Sequence, residues 1–376
     1  MDEIDGIIDL GYEVVLCPIK PSGQIRSDWK VPDGVRLEVI QPHSLEVFTK
    51  GILGLLSMPK LLQASLRMTL ASPRHTVKNL SIVPKCALLA SALRGTDIQH
   101  VHAYWASVPA SMGLLLSAQL RAPWSFTAHR WDIYENNALN LKISKALFVR
   151  FISLRGLADA RQVAGRSGEF VYVPLGVAIP NEVSKPTLDV SNVPLLAVVA
   201  NLIPLKGHWV LFNAMSLLRD GGFRTNLFVI GDGPEMAPLQ GLADELGLTE
   251  CITFMGQLSR SDLLRMYRVR AVDLVVSSSL ERGFGQHEGV PIALVEAMSF
   301  AIPVVATDSG SCGELLDGGH HLLAKSGDAE DLARKILRVL ASERAYVEAS
   351  NWCRARVLVE WNSQRSAGAL MKMVGV

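Results

Sequence analysis

The chain carries almost no excess charge: 37 Lys and Arg stand against 36 Asp and Glu, a net of +1. That excludes the strongly basic coat of a nucleic-acid-binding protein. Cysteine is scarce. Its five residues (Cys17, Cys86, Cys251, Cys312 and Cys353) are odd in number and scattered, with no CxxC pair. A thiolate zinc site and a disulfide scaffold are thereby excluded, and a reducing compartment is expected. No run is apolar enough to span a bilayer, because the most apolar stretch, residues 51–72, is interrupted by Lys60 and Arg67. The opening Met1-Asp2-Glu3 is acidic with no apolar segment behind it, so no secretory signal is expected. Several motifs are missing as well. Without Asp-x-Asp, a magnesium-held sugar nucleotide is not expected. Neither a P-loop Gly-Lys-Ser/Thr signature nor a Gly-x-Gly-x-x-Gly opening a helix occurs, which weakens ATPase and dehydrogenase readings. Gly310-Ser311-Cys312-Gly313 is not a nucleophile elbow.

What is present is apolar material: 49% of the 376 residues are hydrophobic, enough for real cores and, at roughly 100–200 residues per domain, for two domains. The balanced charge hides an asymmetry. Residues 1–178 hold 19 basic and 14 acidic residues, a net of +5, and the remainder 18 and 22, a net of −4. Residues 47–96 hold seven Lys and Arg and no acid. A basic segment of this kind suits peripheral contact with an anionic membrane, at about 1 kcal/mol per side chain near the surface. Ordinary solvated helix faces are the alternative.

From residue 194 onward, short apolar runs at 195–200, 227–230, 252–255, 274–277 and 303–306 alternate with amphipathic helices. Runs rich in Val, Ile and Leu, without polar alternation, are strands buried on both faces. The helices are expected just after Gly207, ending at Gly221-Gly222, and at 235–246, 261–268, 292–300 and 328–341. Such alternation builds a doubly wound parallel sheet. The first half repeats the theme, with strands expected at 12–17, 35–40, 98–103, 124–127 and 171–173 and helices at 44–72, 78–93, 106–120 and 139–165. Residues 179–193, with two prolines and no periodicity, are the expected linker. The fold class is therefore α/β: two Rossmann-like domains, 1–178 and 194–355, facing each other across a cleft, with 356–376 a closing helix.

Within the second half, Glu288 and Glu296 have seven residues between them, with Pro291 opening a helix from 292. A helix N-terminus attracts an anionic diphosphate, and carboxylates accept hydrogen bonds from paired sugar hydroxyls. Glu281, in Glu281-Arg282-Gly283-Phe284-Gly285, is a decoy, since no Pro-opened helix follows it. Lys206, ending a turn after the 195–200 strand, suits a phosphate. His129, at the end of the 124–127 strand with Asp132 three residues on, suits hydroxyl binding or charge stabilisation. His100 and His102 read as strand residues and His320-His321 as a surface pair, neither as metal ligands.

Taken together, Asn201-Leu202-Ile203-Pro204-Leu205-Lys206-Gly207, Gly231-Asp232-Gly233-Pro234, Phe254-Met255-Gly256, Glu288-Gly289-Val290-Pro291, Glu296-Ala297-Met298, Pro303-Val304-Val305-Ala306-Thr307 and Gly313-Glu314-Leu315 resemble the nucleotide-sugar domain of retaining GT-B glycosyltransferases of family 4. His102-Ala103-Tyr104-Trp105-Ala106 and the run from Phe126 to Tyr134 are similar to the exopolysaccharide, colanic-acid-type branch. The resemblance implies catalytic roles for His129, Glu288 and Lys206. It implies donor contacts at Asn201, Lys206, Gly256, Glu288, Gly289, Val290, Pro291, Leu294 and Glu296, with Glu296 on the ribose, Lys206 on the diphosphate and no metal. It also implies a final helix, near 362–374, that returns to the first domain.

Two departures stand out. Asn201 occupies a position where the family commonly carries an arginine. Residues 2–10 read as the family's first helix, capped by Gly11, so the first domain lacks the strand and glycine loop expected before it. The expected activity is transfer of a hexose from a nucleoside diphosphate sugar to a polysaccharide or lipid-linked saccharide. The expected location is the cytoplasm, with peripheral contact on the inner face of the cytoplasmic membrane as a further expectation. The alternatives are a GT-B-type sugar-nucleotide epimerase or phosphorylase, or a truncated, non-catalytic nucleotide-sugar-binding protein.

Overall fold

In the computed structural model, residues 2–19, 35–40, 44–164, 168–283 and 285–375 are described. Phe284, part of the decoy run, lies outside them. The chain forms two compact units, one of residues 3–174 with 366–376, the other of 175–365.

The first unit runs α1 (Asp2–Asp9), β1 (Val14–Leu16), β2 (Val35–Leu37), α2 (Leu45–Leu55), α3 (Pro59–Ala71), α4 (Thr76–Leu80), α5 (Val83–Ala92), β3 (Val101–Tyr104), α6 (Val108–Leu120), β4 (Trp124–Ala128), α7 (Arg130–Glu135), α8 (Leu139–Lys145), β5 (Val149–Phe151), α9 (Leu154–Ala164) and β6 (Phe170–Tyr172). Strands β1 and β2 pair in parallel, and β3-β4-β5-β6 form a separate parallel sheet. Two expectations are corrected here. The single helix at 44–72 is broken, with Pro59 at the first turn of α3, where its missing N–H costs nothing. The helix at 139–165 is two helices around β5. Arg150 at the centre of that strand hides it from an apolar-run reading, yet the residue is wholly buried.

The second unit runs β7 (Leu195–Val199), α10 (His208–Asp220), β8 (Asn226–Ile230), α11 (Met236–Glu245), β9 (Ile252–Gly256), α12 (Arg260–Arg268), β10 (Leu274–Ser277), α13 (Ile292–Ser299), β11 (Val304–Thr307), α14 (Cys312–Leu315), β12 (Leu323–Ala324), α15 (Ala329–Leu340) and α16 (Glu343–Glu360). Its sheet has the order β12-β11-β10-β7-β8-β9, parallel throughout. Central strands are buried on both faces, as in Val275, Val304 and Val305, and the helices pack over them in one continuous core. Residues 179–193, the expected linker, fall within the second unit. Leu188 is buried in this core, with Ile179 and Val183 packed against it. The last helix, α17 (Ser363–Val374), passes back at Ser366 into the first unit, where Leu370 and Val374 pack on Phe148.

Candidate active site

The chain leaves β7 outward through β8 and β9, then returns to pair β10 on the other side of β7. Strand order reverses there, and in open α/β sheets ligands bind beyond the carboxyl ends of the strands at such a switch point. A cavity of about 190 Å³ occupies that place, lined by the ends of β7 (Val198, Val199) and β10 (Val275 to Ser277) and the start of α13. Lys206 and Glu288 bring charge to it, and Val290, Pro291 and Leu294 close it from the helix side.

Local geometry puts those two side chains there. Gly207 holds a φ of +57°, and a Cβ on it would lie 2.2 Å from the Ser278 carbonyl oxygen, so only glycine lets the Lys206 turn press against the end of β10. The Leu280 N–H donates to Leu205 O at 2.8 Å and Ser278 Oγ to Lys206 O at 3.1 Å, fixing the turn. Glu288 is fixed from the other side. Its N–H donates to Ser309 Oγ at 3.0 Å, and Ser309 Oγ in turn donates to Leu280 O at 2.8 Å. Gly310 passes so close that a Cβ would stand 1.9 Å from Glu288 O.

Lys206 Nζ donates to Glu288 Oε2 at 2.6 Å, and Ser279 Oγ donates to the same oxygen at 2.5 Å. Burial alone would raise the Glu288 pKa. The Lys206 ammonium and the hydrogen bonds from Ser279 and Gly289 outweigh it and hold the group below its ordinary value, as a carboxylate. The pair keeps an ammonium and a carboxylate side by side at the mouth of a helix whose dipole is positive at that end.

Glu296 lies on the buried face of α13 and accepts from Arg260 Nε at 2.5 Å. It is not part of the cavity wall, and neither are Asn201, Gly256 or Gly289. Asn201 is exposed just beyond β7, and Gly256 ends the edge strand β9, its carbonyl accepting from the Gly231 N–H at 2.8 Å. Glu281 accepts from the Gly310 N–H at 2.8 Å and so braces a loop rather than meeting the cavity. Sequence reasoning missed Ser279, Ser309 and Arg260. The Ser277-Ser278-Ser279 run after an apolar strand was a visible signal for the first, while Ser309 and Arg260 act through pairings distant in sequence.

His129 belongs to the first unit, at the carboxyl end of β4. Its ring stacks on Trp105 with centroids 4.0 Å apart and 17° between planes. Burial, with Arg150 adding to it, pushes its pKa down to about 3, so the imidazole is neutral. Asp132 holds the backbone around it, accepting from the His129 N–H at 2.7 Å and from the Ala106 N–H. His100 and His102 donate or accept at Ser125 Oγ, both at 2.7 Å, inside the sheet.

Residues 181–355 match the family model described as glycosyl transferases group 1. The amylovoran biosynthesis glycosyltransferase AmsK of Erwinia amylovora is 31% identical over 167 residues, 44% of this chain. The chain spans 40% of that relative's length. Among solved structures, sucrose-phosphate synthase from Thermosynechococcus elongatus superposes with a TM-score of 0.73 at 17% identity, covering 99% of this chain and 90% of that one. HepE of Anabaena, in complex with UDP and glucose, does so with a TM-score of 0.69 at 18% identity, covering 100% and 95%. The fold is GT-B, built of two Rossmann-like α/β units. The family match lies wholly within the second unit.

Proposed function

We propose that the protein is a retaining glycosyltransferase of family 4, in its colanic-acid-type branch. In this reading it moves a hexosyl group from a nucleoside diphosphate sugar to a polysaccharide or lipid-linked saccharide during cell-surface polysaccharide synthesis. The observation that carries the reading is the cavity at the switch point of the second unit, with Lys206, Glu288 and the α13 N-terminus converging on it. The likeness to a protein solved with UDP and glucose and to an amylovoran-synthesis enzyme supports the same assignment.

The chemistry follows from charge. As the bond from the anomeric carbon to the diphosphate breaks, negative charge grows on the leaving phosphate. Lys206 and the helix dipole are already oriented to stabilise it, without reorganising at the moment of reaction. The acceptor oxygen attacks on the face the phosphate leaves, a departing phosphate oxygen takes the acceptor proton, and the configuration is retained. Glu288 orients the sugar hydroxyls, and Glu296, held by Arg260, the ribose. The protein supplies its positive charge through Lys206 and needs no metal, in keeping with the missing Asp-x-Asp.

A lipid-linked acceptor calls for a membrane-facing surface. On α2, α3 and the turn between them, Leu45, Phe48, Leu53, Leu56, Leu66 and Leu70 are exposed beside Lys60 and Arg67, a combination suited to anionic lipid from the cytoplasmic side. Among the described residues no helix is long and apolar enough to cross a membrane.

The test is proton NMR of turnover with UDP-glucose, UDP-galactose and GDP-mannose as donors. The expected product keeps the donor's α configuration, and both Lys206→Ala and Glu296→Ala abolish turnover while unfolding cooperatively. A β product, or unchanged rates in either variant, overturns the reading.

A further inference from the structure

Trp105 is the strangest residue of the first unit. It follows β3 with a φ of +85°, a left-handed backbone conformation that a bulky side chain adopts only under constraint. The constraint is visible. The Trp105 N–H donates to Thr127 O at 2.9 Å, extending the β3–β4 ladder. Next along the chain, Ala106 is held at its N–H by the buried Asp132 carboxylate and at its carbonyl by the buried Lys142 ammonium, at 2.7 Å. Lys142 also donates to Ser107 O at 2.7 Å. Two buried polar side chains are thus committed to one turn.

That turn leaves an indole open to solvent. Trp105 is 46% exposed although one face stacks on His129. Trp131, the second residue of α7, is 60% exposed, with the Arg130 guanidinium 4.6 Å from its ring centroid. His129 Nδ1 is buried and stays 4.0 Å from Asp132 Oδ2. These groups gather at the carboxyl ends of β3 and β4, where a parallel α/β sheet presents its ligand-binding loops. An indole held open to solvent at the cost of backbone strain points to a binding surface rather than to packing.

We propose that Trp105, seated on His129, and Trp131 form an aromatic platform that stacks against the pyranose ring of the saccharide acceptor. A pyranose has an apolar C–H face that covers an indole and a rim of hydroxyls. The inference rests on the proposed glycosyl transfer for the word acceptor, while the platform itself is a property of the first unit alone.

The experiment is saturation-transfer NMR on the full chain, with methyl α-glucopyranoside, methyl α-galactopyranoside, methyl α-mannopyranoside and, as ringless control, triethylene glycol. Ring protons of at least one glycoside receive saturation and the control does not. Trp105→Gly, which suits a φ of +85°, keeps the fold and weakens glycoside binding at least fivefold. Trp131→Ala weakens it less, and Trp105→Phe retains most of it. No signal from any glycoside, or an unchanged signal in Trp105→Gly, overturns the platform. Calorimetry of UDP and GDP on the same samples separates the two readings. Nucleotide binding without glycoside binding overturns the platform alone, whereas glycoside binding without nucleotide binding overturns the glycosyl-transfer reading alone.

Discussion

The two sheets have the same parallel logic and are made of different material. In the second unit β7, β10 and β11 are buried on both faces by Val, Ala and Leu. In the first, one face of β3, β4 and β5 carries His102, Ser125, Thr127 and Arg150. Burying polar groups is unfavourable unless every one is paired. Here His102 bridges Ser125 Oγ and Thr127 Oγ1 at 2.7 and 2.8 Å. Arg150 donates to Val173 O and Pro174 O, both at 2.9 Å, and to Glu3 Oε2 at 2.7 Å, an oxygen that also accepts from Tyr104. The second unit owes its cohesion to apolar area. The first depends on a network that fails when one member is removed.

The sharpest way to break that comparison is Arg150→Ala. Removing one partner of a buried pair leaves Glu3 uncompensated and costs about 3–5 kcal/mol. Denaturant unfolding followed by hydrogen exchange should show the loss in residues 3–174 while peptides from β7 and β10 keep their protection. Equal loss in both units would erase the distinction.

Acid gives a smaller effect of the same kind. Burial pushes His100 down to about 4, His129 to about 3 and His102 well below its ordinary value; in the second unit it pushes His208 to about 4 and lowers the more exposed His321 as well. A histidine with a lowered folded pKa contributes stability that is present above about 6.5 and lost as pH falls toward the folded value, about 1–2 kcal/mol each at pH 5. Asp132 works the other way. Burial raises it to about 7, so it regains stability as it takes up a proton, but one acid does not offset three histidines. Thermal melts from pH 7 to 5 should therefore destabilise the first unit more than the second; parallel shifts would contradict this.

The same contrast explains what was legible in the sequence. Continuous aliphatic runs announced β7, β8, β9, β10 and β11, and Pro291 announced α13. β5 was invisible because its central residue is arginine, and no pattern of spacing reveals that a guanidinium 147 positions from its glutamate is buried with it. β12, two residues long, is too short to carry a period. At the site, Lys206 and Glu288 were readable from motif order, and the structure joins them across 82 residues. Ser309 was not readable, since its role is a backbone hydrogen bond made only after β10 and β11 pair. The role of Trp105 was not readable, because a positive φ leaves no trace in composition.

The central claim is that the switch-point cavity holds a nucleoside diphosphate through Lys206. Calorimetric titration of UDP and GDP into the wild-type chain and Lys206→Ala tests it directly. Losing a charge-assisted hydrogen bond is worth about 1.5–3 kcal/mol, so the account predicts binding of at least one nucleotide to the wild type and about ten- to hundredfold weaker binding to the variant. Equal affinity in the two proteins, or no binding to the wild type, would contradict it.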